Sequence, residues 1–357
     1  MDVLPPPGPG PDGPDSLTAD EVARFVVATA VWAPSVHNTQ PWWFAADGQQ
    51  VSLHADAGRR LTMADPEGRE MMISCGAALF TARLALRALG HVPETIVLPD
   101  PGHPSLVARI SWSRRAAVTG YEQRLFSQVL RRRTHRGGFD PVPLSANLLG
   151  ALRDSAARDG AALHIIADAG RRAALAAVVE TAERSLRLDS ARVAELASWV
   201  SPPGSARRDG VPPSSYPARA ERTYPAFPGR DFAHGRGWGL PPFSAHPASQ
   251  AGVVGLLTTA DDRPVDWLNA GQALQRMLLT AGTCGVAAAL HSQPLELPWL
   301  REFIRTQLGD GGYPQLVLRF GAVIQASVSV RRPPADVLFA VGSEPSGPEH
   351  ALSHRRG

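Results

Sequence analysis

Residues 33–44 read APSVHNTQPWWF, and this stretch decides how the rest of the chain is interpreted. Pro34 and Pro41 enclose a run of small polar side chains. Proline ends a helix because it lacks the backbone N–H group and its ring clashes with the preceding turn. The stretch therefore predicts a loop that presents polar groups directly after a helix.

The helix that leads into this loop is predicted to begin near Thr18. Thr18 and Glu21 have the spacing of a capping box, in which two side chains satisfy free backbone N–H groups at a helix start. Val22, Phe25, Val26 and Thr29 follow at helical spacing and predict one buried face. Pro34 ends this pattern, so the polar loop begins at the end of the helix.

A second helix is predicted from Asp65, as its N-cap, and Pro66, as its first helical residue, to a stop at Gly90. It is apolar on most faces, so we expect it to lie at the centre of the fold. Strands are predicted near 51–55, 94–98 and 105–112. A helix, a loop and a helix are predicted in 121–156, followed by a strand at 161–166 and a helix at 171–198. Later in the chain we predict a strand at 253–259, a helix from Pro264 to about Gly282, a helix at 296–308 and a strand at 315–320.

Residues 201–250 form a long stretch between two predicted elements. They contain ten prolines and six glycines together with six aromatic residues, namely Tyr216, Tyr224, Phe227, Phe232, Trp238 and Phe243. A flexible linker rarely carries so many aromatics, and a loop of this length is usually a lid, a binding loop or disordered. The composition is compatible with an ordered flap over a flat apolar ligand and with a passive surface insertion.

Composition excludes several classes of function. All 36 basic residues among the 357 are arginine, so a lysine Schiff base and a P-loop lysine are both excluded. A net charge of +3, with arginines spread along the chain, does not favour nucleic-acid binding. The apolar runs are too short for a membrane span, and the acidic Pro/Gly-rich start is unlike a signal peptide. With only two cysteines, a reducing cytoplasm is the expected location.

Common catalytic and metal-binding motifs are also absent. The sequence lacks G-x-S-x-G, H-E-x-x-H, C-x-x-C and a G-x-G-x-x-G that follows a strand. The eleven histidines show no ligand-like spacing, so no metal site is predicted.

A second motif, RRRTHRGGF, occupies 131–139. Arg132, Thr134 and Arg136 alternate, so in an extended loop their side chains share one face. Two guanidinium groups and a hydroxyl on one face suit a phosphate dianion. Another basic element, Arg331-Arg332-Pro333, lies near the end of the fold. The alternative is that these arginines are a solvated charge run.

These motifs together resemble those of a known family. APSVHNTQPW resembles the P-S-x-x-N-x-Q-P-W signature of the nitroreductase-like flavoproteins. RRTHRGGF and RRPPADVLF resemble their R-x-S-x-R-x-F and R-x-P-x-x-D-V segments, which reach the phosphate of FMN. With DPEGREMMISCGAAL at 65–79, the combination looks most like the Acg-type branch, and the resemblance covers roughly residues 20–340.

The resemblance implies an α+β, nitroreductase-like fold in which two divergent halves of one chain form a pseudo-dimer. The expected units are an N-terminal half at 17–120 and a C-terminal half at 121–341 that carries the insertion 201–250. Disordered segments are expected at 1–16 and 342–357. Each half keeps the motif that the other has lost, so one composite FMN site is expected at their junction. The chain would then bind flavin as a monomer, with further oligomerisation left open.

The resemblance also implies which residues hold the cofactor. The loop residues would lie along the flavin ring, the arginine motif and Arg331 would hold the phosphate, and a segment at 288–293 would meet the N5/O4 edge. The expected FMN-binding residues are Pro34, Ser35, Val36, Asn38, Arg132, Arg133, Thr134, Arg136, His291, Ser292, Gln293 and Arg331. His37 is left open between facing the ring and capping the loop.

The implied activity is an FMN-dependent oxidoreductase. Hydride would pass from NAD(P)H through flavin N5 to a small-molecule acceptor such as a nitroaromatic or a quinone. The chemistry is borne by the flavin, and no catalytic side chain is predicted. Two alternatives remain: a flavin-sequestering protein with a closed lid and little turnover, and a flavin-dependent dehydrogenase or oxidase of a specialised metabolite.

Overall fold

The chain repeats one order of elements twice. The computed structural model describes residues 17–218, 223–232, 235–241, 250–323 and 329–342. The first repeat consists of α1 (Ala19–Ala30), β1 (Trp42–Asp47), β2 (Gln50–Ala55), α2 (Arg69–Ala88), β3 (His91–Val97) and β4 (Leu106–Arg115). The order is therefore helix, two strands, helix, two strands.

The second repeat has the same order with additions. It is preceded by α3 (Gly120–Phe126) and β5 (Thr134–His135). It then contains α4 (Ala146–Ala157), β6 (Ala161–Ile165), α5 (Ala169–Arg187), α6 (Ser190–Ser198), β7 (Val253–Thr259), α7 (Pro264–Thr283), β8 (Val286–His291), α8 (Pro298–Gln307) and β9 (Tyr313–Ala322), and the described chain ends after β10 (Leu338–Ala340). Without α5, α6 and α8, the elements from α4 to β9 match those from α1 to β4.

The two sheets have corresponding strand orders. The first is β10-β1-β2-β4-β3 and the second is β5-β8-β9-β7-β6. The runs β1-β2-β4-β3 and β6-β7-β9-β8 correspond strand for strand, and every pair within them is antiparallel. Each sheet gains one parallel edge strand, β10 beside β1 and β5 beside β8. Because β10 returns to the sheet of the first repeat, the two halves are interlocked.

Helices α2 and α7 cross at the centre, where two glycines let their backbones touch. A Cβ atom on Gly76 would lie 2.2 Å from the carbonyl oxygen of Leu268, and one on Gly271 would lie 2.0 Å from that of Ile73. On each helix, the residue whose carbonyl is contacted lies three positions before the glycine: Ile73 before Gly76, and Leu268 before Gly271. The two helices therefore contact each other through equivalent positions, and the contact is reciprocal. Such a contact is what a two-fold axis between equivalent subunits produces. The two halves therefore pack as a pseudo-dimer, as predicted.

The repeats differ most in their connections. Strands β1 and β2 are joined by Gly48-Gln49, whereas β6 and β7 are separated by residues 166–252. The link from α1 to β1 spans residues 31–41, but the matching link from α4 to β6 is only residues 158–160. The polar loop thus belongs to the first half alone, and the long insertion belongs to the second half alone.

Most sequence-predicted elements are confirmed with small shifts of boundary. The capping box of Thr18 and Glu21 starts α1 as expected. The prediction that Asp65 is the N-cap of α2 was wrong: Gly68, with φ 78°, holds that position, and the Asp65 carboxylate accepts from the N–H groups of Glu70 and Met71 instead. Strand β1 was not predicted.

The predicted single helix at 171–198 was also wrong. It is two helices, α5 and α6, because the Asp189 carboxylate accepts from the N–H groups of Ala191 and Arg192 and starts a new helix. The predicted disordered segment 1–16 lies outside the described residues, as does all of the predicted segment 342–357 except residue 342. The boundary at residue 120 stays a prediction.

Helix α2 is long and apolar enough, by length and composition, to cross a membrane. Most of its apolar stretch is buried inside the protein, against α1 and α7. Its composition is therefore explained by its place in the core.

We predict that Gly271→Ala lowers the free energy of unfolding by about 3 kcal/mol or more, because the new methyl group overlaps the Ile73 carbonyl and pushes the helices apart. Gly150→Ala on α4 is the matched control. Its Cβ meets nothing within 4 Å, so it should gain about 0.5–1 kcal/mol of stability. Urea unfolding of both variants tests the helix crossing, and equal stabilities would contradict it.

Candidate functional site

The loop between α1 and β1 is built from backbone conformations that are uncommon outside glycine. His37, Asn38 and Gln40 have φ values of 46°, 55° and 49°. The turn is held by the Gln40 N–H group, which donates to Ser35 Oγ at 2.9 Å, and by the Val36 N–H group, which donates to Ser74 Oγ of α2 at 3.3 Å. Left-handed residues persist only where the surroundings hold them, and they cluster at functional sites.

This loop forms one wall of a cavity of about 910 Å³, counting its opening to solvent. Ile73 of α2 and Leu274 of α7 line it beside the helix crossing. Eight of the predicted residues line the cavity, namely Pro34, Ser35, Val36, Thr134, Arg136, His291, Ser292 and Gln293. The cavity is therefore shared by both halves.

Three further arginines of the predicted set surround Trp32, at the end of α1. Arg132 Nη2 and Arg331 Nη2 donate to the Trp32 carbonyl oxygen at 3.2 and 3.3 Å. The guanidinium groups of Arg133 and Arg331 lie 4.9 and 5.6 Å from the Trp32 ring centroid. Trp32 was not singled out from the sequence, although it directly precedes the loop motif.

The charge of this arginine cluster is not compensated within the described part of the chain. None of the ion pairs found there involves Arg132, Arg133, Arg136 or Arg331, and buried Arg132 Nε, Arg132 Nη1 and Arg331 Nε have no hydrogen-bond partner. Burial and mutual repulsion lower the pKa of Arg132 to about 9, and burial lowers that of Arg136 to about 10. Buried cations without partners are costly, so this region is suited to an anion.

A hydrogen-bonded chain lies at another part of the cavity. Arg230 Nη1 contacts His37 Nε2 at 2.7 Å, and Arg230 Nη2 donates to Glu296 Oε1 at 2.7 Å. Ser292 Oγ donates to the same carboxylate oxygen at 2.8 Å. Burial and the charges of Arg230 and Arg136 hold the pKa of His37 well below its usual range. His37 is therefore neutral, and because arginine only donates, its proton is assigned to Nδ1.

His291 is also neutral and presents an unpaired donor. Arg319 Nε donates to His291 Nε2 at 2.8 Å, so the ring proton is assigned to Nδ1. Burial, with the charges of Arg319 and Arg230, holds the pKa of His291 well below its usual range. The Nδ1 atom is buried without a hydrogen-bond partner in the described structure. A ligand in the cavity can satisfy it by offering an acceptor.

Glu70 is a cavity residue that sequence reasoning missed. Its Oε1 accepts from Arg69 Nη2 at 3.1 Å, whereas its buried Oε2 has no partner among the described residues. Burial and the nearby charge of Glu296 raise the pKa of Glu70 to about 8. The residue lies within the quoted segment 65–79, but nothing in its local spacing distinguishes it from an ordinary carboxylate of a first helical turn.

The insertion 201–250, which is part of the connection between β6 and β7, is attached to the polar loop. Asn38 Nδ2 donates to the Gly210 carbonyl oxygen at 2.9 Å, and Gln40 Nε2 donates to that of Arg208 at 2.9 Å. Arg136 Nη1 donates to the carbonyl oxygen of Ser215 at 3.1 Å. Gly229, Arg230 and Phe232 of the insertion line the cavity directly. The insertion therefore lies across the junction of the two halves.

Four predicted site residues are not part of the cavity lining. Arg132, Arg133 and Arg331 lie in the cluster around Trp32. The Asn38 side chain is occupied inside the protein, because Nδ2 also donates to the Val330 carbonyl oxygen and Oδ1 accepts from Arg331 Nη1 at 3.0 Å. Asn38 thus links the loop to the C-terminal segment and the insertion rather than facing the cavity. Within the described ranges, no group of three His, Cys, Asp or Glu side chains is arranged to hold a metal ion.

We predict that inorganic phosphate stabilises the ligand-free protein through this cluster. At about ten times its dissociation constant it should add about 1.4 kcal/mol and raise Tm by about 2–4 °C. Arg132→Met should remove this shift without destabilising the ligand-free protein, since it deletes a buried unpaired charge. Thermal unfolding with and without phosphate measures both effects. Arg131→Met, one residue earlier and exposed, should keep the shift, and the same shift in all three proteins would contradict the assignment.

Two relatives match nearly the whole chain. Rv3131 of Mycobacterium tuberculosis, which carries the name of an NAD(P)H nitroreductase, is 34% identical over 318 residues, covering 88% of this chain and 89% of Rv3131. Acg of the same organism, which carries the same kind of name, is 32% identical over 332 residues, covering 92% of this chain and 98% of Acg. No family model matches the chain.

Solved structures give a weaker likeness. The FMN-dependent nitroreductase NfnB from Mycobacterium smegmatis, in complex with NADPH, is 16% identical with a TM-score of 0.34, covering 59% of this chain and 93% of NfnB. A nitroreductase with bound FMN from Desulfitobacterium hafniense is 12% identical with a TM-score of 0.36, covering 60% of this chain and 97% of the nitroreductase. At these scores the likeness carries no argument. The match to Rv3131 and Acg decides the assignment: the chain belongs to the Acg-type branch of the nitroreductase-like family.

Proposed function

We propose that the protein is an FMN-dependent NAD(P)H oxidoreductase with one composite flavin site per chain. The observation that carries the proposal is the buried arginine cluster without counter-charge, beside a cavity shared by both halves. FMN joins a phosphate dianion to a flat, largely apolar ring. A phosphate would supply the missing negative charge, and the cavity would hold the ring.

The residues present fit this cofactor. Arg132, Arg136 and Arg331 would hold the phosphate, which satisfies guanidinium atoms that are otherwise buried without partners. The loop from Pro34 to Val36, which forms one wall of the cavity, would hold the ring inside it. When bound, the flavin supplies hydride chemistry at its N5 atom. The His291 Nδ1–H group would donate to a polar atom of the ring edge or of the substrate. Burial and the charge of Arg319 lower the pKa of His291 and so keep its ring neutral.

NAD(P)H is the proposed reductant, and a nitroaromatic or a quinone is the proposed acceptor. The names of Rv3131 and Acg support this reductant. The neutral His37 and His291 side chains would offer donors to an oxygen of the acceptor without adding positive charge. A monomeric pseudo-dimer in the cytoplasm remains our prediction, and NADH and NADPH are not distinguished.

A second candidate function is flavin sequestration with little turnover. It is favoured by the way in which the insertion is fixed over the cavity. The Arg59 guanidinium pairs with the Asp209 carboxylate, Asn38 and Gln40 bind its backbone, and Arg230 links it to Glu296. A closed insertion would keep a nicotinamide away from the ring. A flavin-dependent dehydrogenase or oxidase has no separate support.

We predict that Arg136→Ala purifies with little flavin and binds FMN at least about tenfold more weakly, because a charge-assisted contact to phosphate is lost. Arg131→Ala is the matched control, since its side chain is exposed, and it should bind FMN normally. Fluorescence titration with FMN measures both affinities. Equal affinities in folded variants would contradict the phosphate assignment.

We predict that loosening the insertion speeds flavin reduction. Asp209→Ala removes the ion pairs with Arg59 and Arg207, which lie outside the cavity. Anaerobic stopped-flow mixing with NADPH should show reduction that is at least about threefold faster, if opening of the insertion limits access. Glu180→Ala, on the exposed side of α5, is the control. An unchanged rate for Asp209→Ala would mean that the insertion is passive.

A further inference from the structure

The polar groups that line the cavity differ in their ability to give up a proton. His37 and His291 are neutral, and each accepts from an arginine through Nε2, so losing the remaining ring proton is strongly unfavourable. Arg136, Arg230 and Arg319 donate hydrogen bonds, but their guanidinium groups are poor acids. Among the described lining residues, Glu70 is the carboxylic acid that faces the cavity.

The two oxygens of Glu70 have different surroundings. Oε1 is held by Arg69, whose Nη1 in turn donates to the Gln315 carbonyl oxygen at 2.8 Å, so this side of the carboxyl group is fixed. Oε2 is buried and has no partner in the described structure. A buried polar oxygen without a partner needs an explanation, and a function at the site is a common one. A proton on Oε2 would turn it into a donor toward a ligand.

The charges around Glu70 decide whether that proton is held. On its own helix and the preceding turn these are Arg69 and Asp65. From other parts of the chain they are Glu296 and Arg230. Arg69 and Arg230 favour the ionised form, whereas burial, Glu296 and Asp65 favour the protonated form, and the pKa is raised to about 8. At neutral pH the carboxyl group therefore carries its proton, and the proton is lost as pH rises through about 8. Such a value suits a general acid that works near neutrality.

We propose that Glu70 is the proton donor to the acceptor, a role that rests on the proposed oxidoreductase function. A quinone becomes a hydroquinone by taking up one hydride and one proton. The hydride originates from NAD(P)H, which is oxidised to NAD(P)⁺. The proton leaves Glu70 Oε2, where the O–H bond breaks, and a new O–H bond forms on the acceptor oxygen. Glu70 is left as a carboxylate and takes up a proton from solvent before the next turnover.

The test compares Glu70→Gln, which keeps the shape and the Oε1 acceptor, with Glu67→Gln, an exposed residue of the preceding turn. FMN affinity and anaerobic reduction by NADPH should be the same in both variants and the wild type. Reoxidation of the reduced protein by 1,4-benzoquinone should be at least about tenfold slower in Glu70→Gln. In the wild type its rate should fall as pH rises through about 8, and in Glu70→Gln it should be flat.

An infrared measurement provides a readout that does not depend on turnover. The wild type at pH 7 should show the carbonyl band of a protonated carboxylic acid, which Glu70→Gln lacks and Glu67→Gln keeps. Absence of this band in the wild type, or unchanged reoxidation in Glu70→Gln, would overturn the proposal. Failure of the wild type to bind FMN or to be reduced would instead contradict the proposed function, so the two failures are distinguishable.

Discussion

The close backbone contact between α2 and α7 determines how the two halves of the protein pack together. Gly76 and Gly271 allow two helices to approach until side chains would overlap backbone carbonyls. This crossing brings together two sheets with the same strand order. It also places Ile73, Ser74 and Leu274 beside the cavity. The site is therefore a consequence of how the halves pack, and neither half contains it alone.

Divergence of the halves explains why one site is expected instead of two. A symmetric pair would carry two equivalent loops after α1 and α4, but the second has shrunk to residues 158–160. The second half instead supplies the arginine motif, and its β6–β7 connection has expanded into the insertion that crosses the site. The charged residues of the site are divided in the same way. Arg132 and Arg136 belong to the second half, and they lie near Trp32 and the polar loop of the first half. The result is one asymmetric site at a pseudo-symmetric interface.

Local patterns predicted much of this arrangement, and non-local contacts account for what they missed. The helix before Pro34 follows from the spacing of its apolar residues, and the strand at 253–259 follows from its apolar run. Of the three residues predicted to share one face, Thr134 and Arg136 line the cavity, whereas Arg132 does not. Asp189 splits one predicted helix because its side chain caps a new start, which periodicity does not reveal. The pKa of Glu70 is raised by burial and by Glu296, which lies 226 residues away along the chain. The orientation of Asn38, away from the cavity, likewise depends on Gly210 and Arg331.

If one chain contains one complete flavin site, the stoichiometry of FMN binding will reveal it. FMN would be titrated into the ligand-free protein while analytical ultracentrifugation follows the mass of the species that binds. One FMN should bind per chain, to a monomer of 38.0 kDa, with an affinity that does not change with protein concentration. Binding that requires a dimer, two FMN per chain, or no FMN at all would contradict it.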